Sequence, residues 1–303
     1  MPASPSATAE EIKDANTRYH DAAATEYDAK WGIDFGSLGQ DQVRAKMTKA
    51  LGDWPSQPLG DALEIGAGTG YFGLNLLQGG LFDRLTATDI SPGMLEALSD
   101  SAVRLELEAS TACTDAEHLP FPDDSFDLVF GHAVLHHIPD LRRAFTGFHR
   151  VLRPGGLIAF CGEPSRHGDR LAAIPKRTAM AVAPAWRRLM GADARAARPA
   201  GEAAEHELES EVDVHAFSPD DLRRDLEGAG FGEVRIRGEE LLANAYGWAV
   251  RTLESSADPD QVPMRWRRFA FRSYLTLQRV DRAVLEPRLP PQLFYNLVLS
   301  ARA

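Results

Sequence analysis

The chain has 303 residues, 44% hydrophobic and 25% charged, which suits a soluble globular protein with a sizeable core and excludes collagen, low-complexity disorder and a disulfide-stapled mini-protein. Lys and Arg number 33 against 44 Asp and Glu, a net charge of −11, which argues against a nucleic-acid partner because phosphate backbones select cationic surfaces. Two cysteines, Cys113 and Cys161, fit a reducing cytoplasm better than a disulfide framework, no basic-then-apolar leader opens the chain, and no apolar run reaches the length of a membrane span.

In chain order, residues 9–30 and 41–52 read as helices, and Pro55 and Pro58 interrupt the chain before the first strand. Strands and helices then alternate. Residues 63–66 form a short apolar strand ending in glycines, and 71–78 have helical spacing up to Gly79-Gly80. Residues 84–89 are the second strand. Ser91 reads as an N-cap with Pro92 at the first helical position. Residues 105–110 read as a third strand and 126–131 as a fourth. Residues 140–152 form a helix halted by Pro154-Gly155-Gly156, and 157–162 a fifth strand. This alternation predicts a three-layer α/β sandwich on a mostly parallel, Rossmann-like seven-stranded sheet with an antiparallel last strand.

The pattern lapses over 164–215, where a basic stretch (Arg166 to Arg198) precedes an acidic one (Glu202 to Asp213), which suggests a helical insertion with a charged hinge. It resumes at a helix capped by Ser218 with Pro219 at its first position and Gly228 and Gly230 at its end. Residues 231–238 are the sixth strand, about 246–286 a second helical insertion, and 292–303 the last strand. The implied units are an N-terminal helical cap (1–58), the core (59–163), the first insertion (164–215), and the C-terminal part of the core with the second insertion (216–303).

Glu64-Ile65-Gly66-Ala67-Gly68-Thr69-Gly70 ends a strand, turns tightly and opens a helix, so backbone N–H groups face whatever binds there. Gly68, Gly70 and Gly73 satisfy the dinucleotide spacing, but two residues late relative to the strand end. Asp89 ends the second strand 19 residues after Gly70, the separation at which a carboxylate reaches ribose hydroxyls. Asp115 lies at the carboxyl edge of the sheet, where its carboxylate and the Ala116 N–H suit the edge of an adenine.

With these features come Asp89-Ile90-Ser91-Pro92-Gly93-Met94-Leu95, Leu119-Pro120-Phe121, Val134-Leu135-His136-His137 and Arg150-Val151-Leu152-Arg153-Pro154-Gly155-Gly156. The ordered set resembles the class I S-adenosylmethionine-dependent methyltransferases, especially the small-molecule and quinone-methylating type, over about residues 60–162. The resemblance implies that Glu64 and the backbone of Gly66, Ala67, Gly68 and Gly70 hold the methionine part of S-adenosyl-L-methionine. It further implies that Asp89 binds the ribose, Ile90 and Met94 pack on the adenine, Asp115 and Ala116 read its edge, and the insertions form a substrate lid. Tyr27, in the helix preceding the core, is placed near the cofactor's carboxylate or sulfonium. His132, His136 and His137 follow the fourth strand, near where the methyl group belongs; His132 is assigned to the cofactor site, and His136 or His137 is the candidate general base. No metal is expected there, since no cysteine pair lies nearby.

No Asn/Asp-Pro-Pro-Tyr follows the fourth strand and neither cysteine follows a proline, so amino methylation of bases and the covalent route to cytosine are unsupported. The expectation is O-, N- or C-methylation of a small organic molecule, without nucleic acid or integral membrane segment. Met264 to Arg279 interleaves five arginines with aromatics and no acid, which reads either as contact with a lipophilic substrate or membrane surface or as a solvated helix. A non-catalytic binder of S-adenosylmethionine and an NAD-dependent dehydrogenase remain the alternatives.

Overall fold

Gly52, Gly79 and Gly191 close helices, and Pro92 and Pro219 open them, in the computed structural model, which describes residues 8–23, 33–195 and 215–303. Among the described residues the helices α1 (Ala9–Ala23) and α2 (Ser37–Leu51) precede β1 (Asp61–Ile65). Then come α3 (Tyr71–Gln78), β2 (Arg84–Asp89), α4 (Pro92–Arg104), β3 (Ala109–Cys113) and β4 (Phe126–His132). A 3-10 turn (Leu135–His137) leads into α5 (Leu141–Val151), β5 (Leu152–Pro164) and α6 (Arg166–Met190). The chain closes with α7 (Pro219–Gly228), β6 (Gly232–Glu239), α8 (Leu242–Ser255), α9 (Met264–Val280) and β7 (Asn296–Arg302).

The seven strands form one sheet in the order β3-β2-β1-β4-β5-β7-β6. Pairings among β1 to β5 are parallel, and β7 runs antiparallel to both β5 and β6. The expected fold is therefore the observed one. Strand order reverses between β1 and β4, and a sheet wound outward from such a point leaves a crevice at the carboxyl ends of those strands. Helices bury apolar stripes on both faces. On one, Phe145 and Phe148 of α5 meet Phe160, Leu226 of α7 and Leu299. On the other, Val43 and Met47 of α2 meet Phe72, Leu74, Phe130 and Val298.

Several boundaries differ from expectation for identifiable reasons. Residues 105–110 alternate like a strand, yet the N–H groups of Leu105 and Leu107 donate back to Ser101 and Ala102 at 3.0 and 2.9 Å, and Glu106 adopts φ 56°. Leu105 is the C-cap of α4 and 106–108 turn out of it, with Leu105 and Leu107 packed on the core, and β3 starts at Ala109. The fifth strand is longer than 157–162 because the extended backbone begins at Leu152 and runs through Pro154-Gly155-Gly156. Ser218 stands at the N-cap of α7 without a capping side-chain bond. The second insertion is two helices rather than one stretch, joined to the start of α8 by Asp281, whose carboxylate accepts from the N–H groups of Leu242 and Ala243 at 3.0 and 2.8 Å. The final strand begins four residues later than expected, after a 3-10 turn at 291–293. Residues 24–30 of the first expected helix and the acidic hinge at 202–213 lie outside the described residues. No helix among the described residues is long and apolar enough to cross a membrane.

Candidate functional site

The crevice at the β1/β4 switch is a cavity of about 560 Å³, within the range that encloses a cofactor-sized ligand. Its floor is the glycine loop. Gly66 has φ 62°, and a Cβ there would fall 2.3 Å from a Val134 methyl. Gly68 has φ 53°, and among the described residues nothing lies within 4 Å of where a Cβ would stand. A loop of this kind brings main-chain groups against a ligand where any side chain would intrude.

Two carboxylates grip this loop. Asp89, 8% exposed at the end of β2, accepts from the N–H of Gly68 through Oδ2 and from that of Ser91 through Oδ1, both at 2.9 Å. Burial raises its carboxyl above the ordinary range, against the pull of the Ser91 N–H, the nearby His20 and the Gly68 N–H. Glu64, 1% exposed, accepts from the Gly73 N–H at 3.0 Å through Oε1. Its Oε2 is buried and has no hydrogen-bond partner among the described residues. Burial pushes the Glu64 carboxyl up to about 8, opposed by the Gly73 N–H and reinforced by Asp89. Gly73 is required by this packing, since a Cβ there would lie 2.0 Å from Glu64 Oε2. Gly73→Ala is expected to displace the carboxylate, costing about 1–3 kcal/mol by overpacking and weakening ligand binding; urea unfolding and ligand titration of the variant measure both effects.

Of the other expected cofactor residues, Ala67, Ile90, Asp115, Ala116 and His132 also line the cavity. Gly70 does not; it caps α3 in the left-handed region. Met94 is fully buried within α4 rather than on the cavity wall. Tyr27 lies outside the described residues. Asp115 is already engaged: Oδ2 accepts from Lys13 Nζ at 2.7 Å and approaches His118 Nδ1 at 3.0 Å, while Oδ1 accepts from the Glu117 N–H. Burial of the Asp115 carboxyl opposes this, but the bond from Lys13 holds it below its ordinary value. Asp115, Glu117 and His118 have metal-like spacing, and the Lys13 ammonium, 2.7 Å from both Asp115 and Glu117, supplies a cation to that group.

Lys13 belongs to α1, which the sequence reading placed near the site without naming it. Asp21 of the same helix accepts from Ser91 Oγ at 2.5 Å and from the Gly93 N–H at 3.1 Å. Lys13, Asn16 and His20 line the cavity, so α1 forms part of its wall.

The histidines divide by environment. His132 ends β4, stacked on Phe72 with ring centroids 4.9 Å apart. Burial, with Lys46 nearby, pushes its imidazole down to about 4. An imidazole held neutral in this way favours the fold above its unfolded value near 6.5 and loses that contribution as pH falls towards 4. The difference is worth up to about 3 kcal/mol. His132→Phe is therefore expected to flatten the loss of stability between pH 6.5 and 4, measured by urea unfolding at both pH values.

His136 and His137 sit in the 3-10 turn with ring centroids 4.0 Å apart. Both line the cavity. His136 is held by a residue that the sequence reading missed. Glu163, fully buried at the end of β5, accepts from the N–H groups of Val134 and Leu135 through Oε1, both at 3.0 Å. Its Oε2 meets the His136 N–H at 3.2 Å and His136 Nδ1 at 2.9 Å. The available signal was an acidic residue at the carboxyl end of a strand, the same signal that marked Asp89.

A further group of buried charges flanks the site. Lys46 and Lys49 of α2 meet Glu239 at the end of β6 at 2.6 and 2.9 Å, and Lys49 also meets Glu286. Burial works against the Glu239 charge, yet both lysines hold its carboxyl down at about 2. On the remaining side Trp248 of α8, Tyr295, Ile138 and Pro139 give the cavity an apolar, aromatic wall. Lys176 of α6 lies 3.8 Å over the Trp248 ring.

Comparison with known proteins agrees with this geometry. Residues 63–160 match the family described as "Methyltransferase domain". Malonyl-[acyl-carrier protein] O-methyltransferase of Serratia marcescens is 37% identical over 112 residues, covering 37% of this chain and 42% of that protein. Demethylmenaquinone methyltransferase of Streptomyces avermitilis is 35% identical over 129 residues, covering 42% and 52%. The matched segment thus spans about half or less of these relatives. Among solved structures, phosphoethanolamine N-methyltransferase 2 of Haemonchus contortus, in complex with phosphomonomethylethanolamine and S-adenosylhomocysteine, superposes with a TM-score of 0.60 at 16% identity, covering 98% of this chain and 60% of that one. A cyclase, SpnF, has a TM-score of 0.55 at 14% identity, covering 98% and 97%. The strand order, the glycine loop with its two carboxylates and the matched segment agree: residues 63–160 are a class I S-adenosylmethionine-dependent methyltransferase domain.

Proposed function

We propose that the chain transfers a methyl group from S-adenosylmethionine to a small organic acceptor. The carrying observation is Glu64, a buried carboxylate on the cavity wall with one oxygen that has no partner among the described residues. A ligand ammonium, such as that of the cofactor's methionine part, satisfies such an oxygen, whereas leaving it bare costs free energy. Gly66, Ala67 and Gly68 present backbone to the same part of the ligand. Each Asp89 oxygen already takes one N–H bond, and a carboxylate has lone pairs left to accept from a ribose diol. Ile90 and Ala116 flank the adenine. Asp115, committed to Lys13, reads the adenine edge only with the oxygen capacity that remains, and Tyr27 keeps its sequence-based placement near the cofactor's carboxylate or sulfonium.

When bound, the cofactor supplies an electrophilic methyl on a sulfonium. The chain's own part is alignment and exclusion of water, contributions worth up to about 7–11 kcal/mol. Helix α1 covers the cofactor end of the cavity through Lys13 and Asp21. The aromatic wall at Trp248 and Tyr295 takes the acceptor, with α6 and α8 as the lid, which favours a lipophilic molecule. His136 removes the acceptor proton when there is one to remove. Glu163 positions it: a carboxylate only accepts, so Nδ1 carries the proton and the ring's acceptor lone pair is on Nε2.

Titration calorimetry with S-adenosylmethionine, S-adenosylhomocysteine and NAD tests the reading, followed by a screen of phenolic, amine and carboxylate acceptors for mass gain. Heat with the first two and none with NAD, plus a methylated product, is expected. Heat with NAD alone would overturn it, and cofactor binding without any product would leave a binding protein.

A further inference from the structure

Charge is unevenly spread over this acidic chain. Helix α6 carries Arg166, Arg170, Lys176, Arg177, Arg187 and Arg188 against Asp169 alone, and α9 carries Arg265, Arg267, Arg268, Arg272 and Arg279 against no acid. A third of the 33 basic side chains thus sit on two helices with one of the 44 acids. The end of α6 meets the start of α9, with the Trp186 and Trp266 rings 5.3 Å apart. Elsewhere arginines are commonly paired, as Arg153 is with Asp61 and Asp127. Among the described residues Arg265, Arg268, Arg272 and Arg279 are exposed and make no ion pair.

The same helices expose apolar side chains. Ile174 is 63% exposed, Met180 68%, Leu189 76% and Phe269 59%, with Phe271 also exposed. Met264, Phe269 and Leu277 line a shallow groove on α9 together with Arg265, Arg268 and Arg272.

We propose that the face of α9 carrying this groove docks on an anionic lipid bilayer. Arginines answer the negative surface potential, and apolar side chains among them gain by entering the boundary between headgroups and acyl chains. A nucleic acid answers the charge alone and leaves Met264 and Phe269, both 59% exposed, in water. The surface adjoins the cavity's aromatic wall, because α8, which supplies Trp248, packs against both helices. The docking face stands on charge and exposure and does not depend on methyl transfer.

The test is co-sedimentation of the full chain with vesicles of phosphatidylcholine alone and of phosphatidylcholine mixed with phosphatidylglycerol. Binding to the mixed vesicles only, weakened by salt, is expected. The triple variant R265E/R268E/R272E should bind them about a hundredfold or more weakly, given the contribution of each basic side chain near an anionic surface. F269S/F271S should also bind more weakly with its charge intact. Melting temperatures equal to the parent's show that both variants are folded; should the charge reversal not fold, the apolar pair decides. Failure to sediment with anionic vesicles, parental binding by a folded variant, or equal binding to duplex DNA or an acidic protein would overturn the proposal.

Discussion

Glu64→Gln is expected to lower affinity for S-adenosylmethionine about a hundredfold and to abolish most of its pH dependence. In the free protein burial lifts the Glu64 carboxyl to about 8, so at pH 7 it is mostly protonated. A bound ammonium favours the carboxylate and expels that proton. Affinity should therefore rise about tenfold per pH unit on approaching 8 from below, then turn over as the ligand's own amine, with an ordinary value of about 7.7–8.0, deprotonates. Glutamine keeps the shape and can still accept from Gly73, but it has no proton to release and no charge to offer; a charged hydrogen bond of up to about 3 kcal/mol is lost. Calorimetry at pH 7 in two buffers of different ionisation enthalpy reads the proton directly. The parent should release close to one and the variant none. Buffer-independent heat in the parent would show that Glu64 does not change protonation on binding.

Glu64 and Asp89 were legible because their signals are local: an acid in or at the end of an apolar strand, beside a glycine turn or a helix cap. What escaped depends on register and on distant chain. Glu163 matters only because β5 lies parallel to β4 and ends beside the turn at 135–137. Lys13 reaches Asp115 across 102 positions and Lys46 reaches Glu239 across 193, separations at which no periodicity links two residues. The misplaced third strand has the opposite origin. Leu105 and Leu107 alternate with acids as in a strand, but the same two leucines can be buried by a helix end, and the N–H bonds back into α4 decide for that. Met94 stands in the first turn of α4, where the pattern puts it, with its side chain fully buried.

Glu163→Gln should lower kcat by about 10²–10⁴-fold, the range of a lost general base, while leaving KM for the acceptor nearly unchanged, provided that the acceptor must lose a proton. The carboxylate now receives the N–H groups of Val134, Leu135 and His136 and holds His136 Nδ1 as a donor. Glutamine has one oxygen and one amino group. Its oxygen can retain the bonds from Val134 and Leu135, which leaves the amino group facing His136. Nδ1 must then accept, the ring proton moves to Nε2, and the nitrogen needed as acceptor becomes a donor. The backbone N–H of His136 also loses its partner, so a fall in stability of about 1–3 kcal/mol accompanies the change. A residue that only braced the turn would show that fall without the kinetic effect. His136→Ala should be as slow as Glu163→Gln, and the double variant little slower than either, because the two side chains act as one unit. A folded Glu163→Gln enzyme with parental kcat would confine Glu163 to holding the turn and leave the proton to another group.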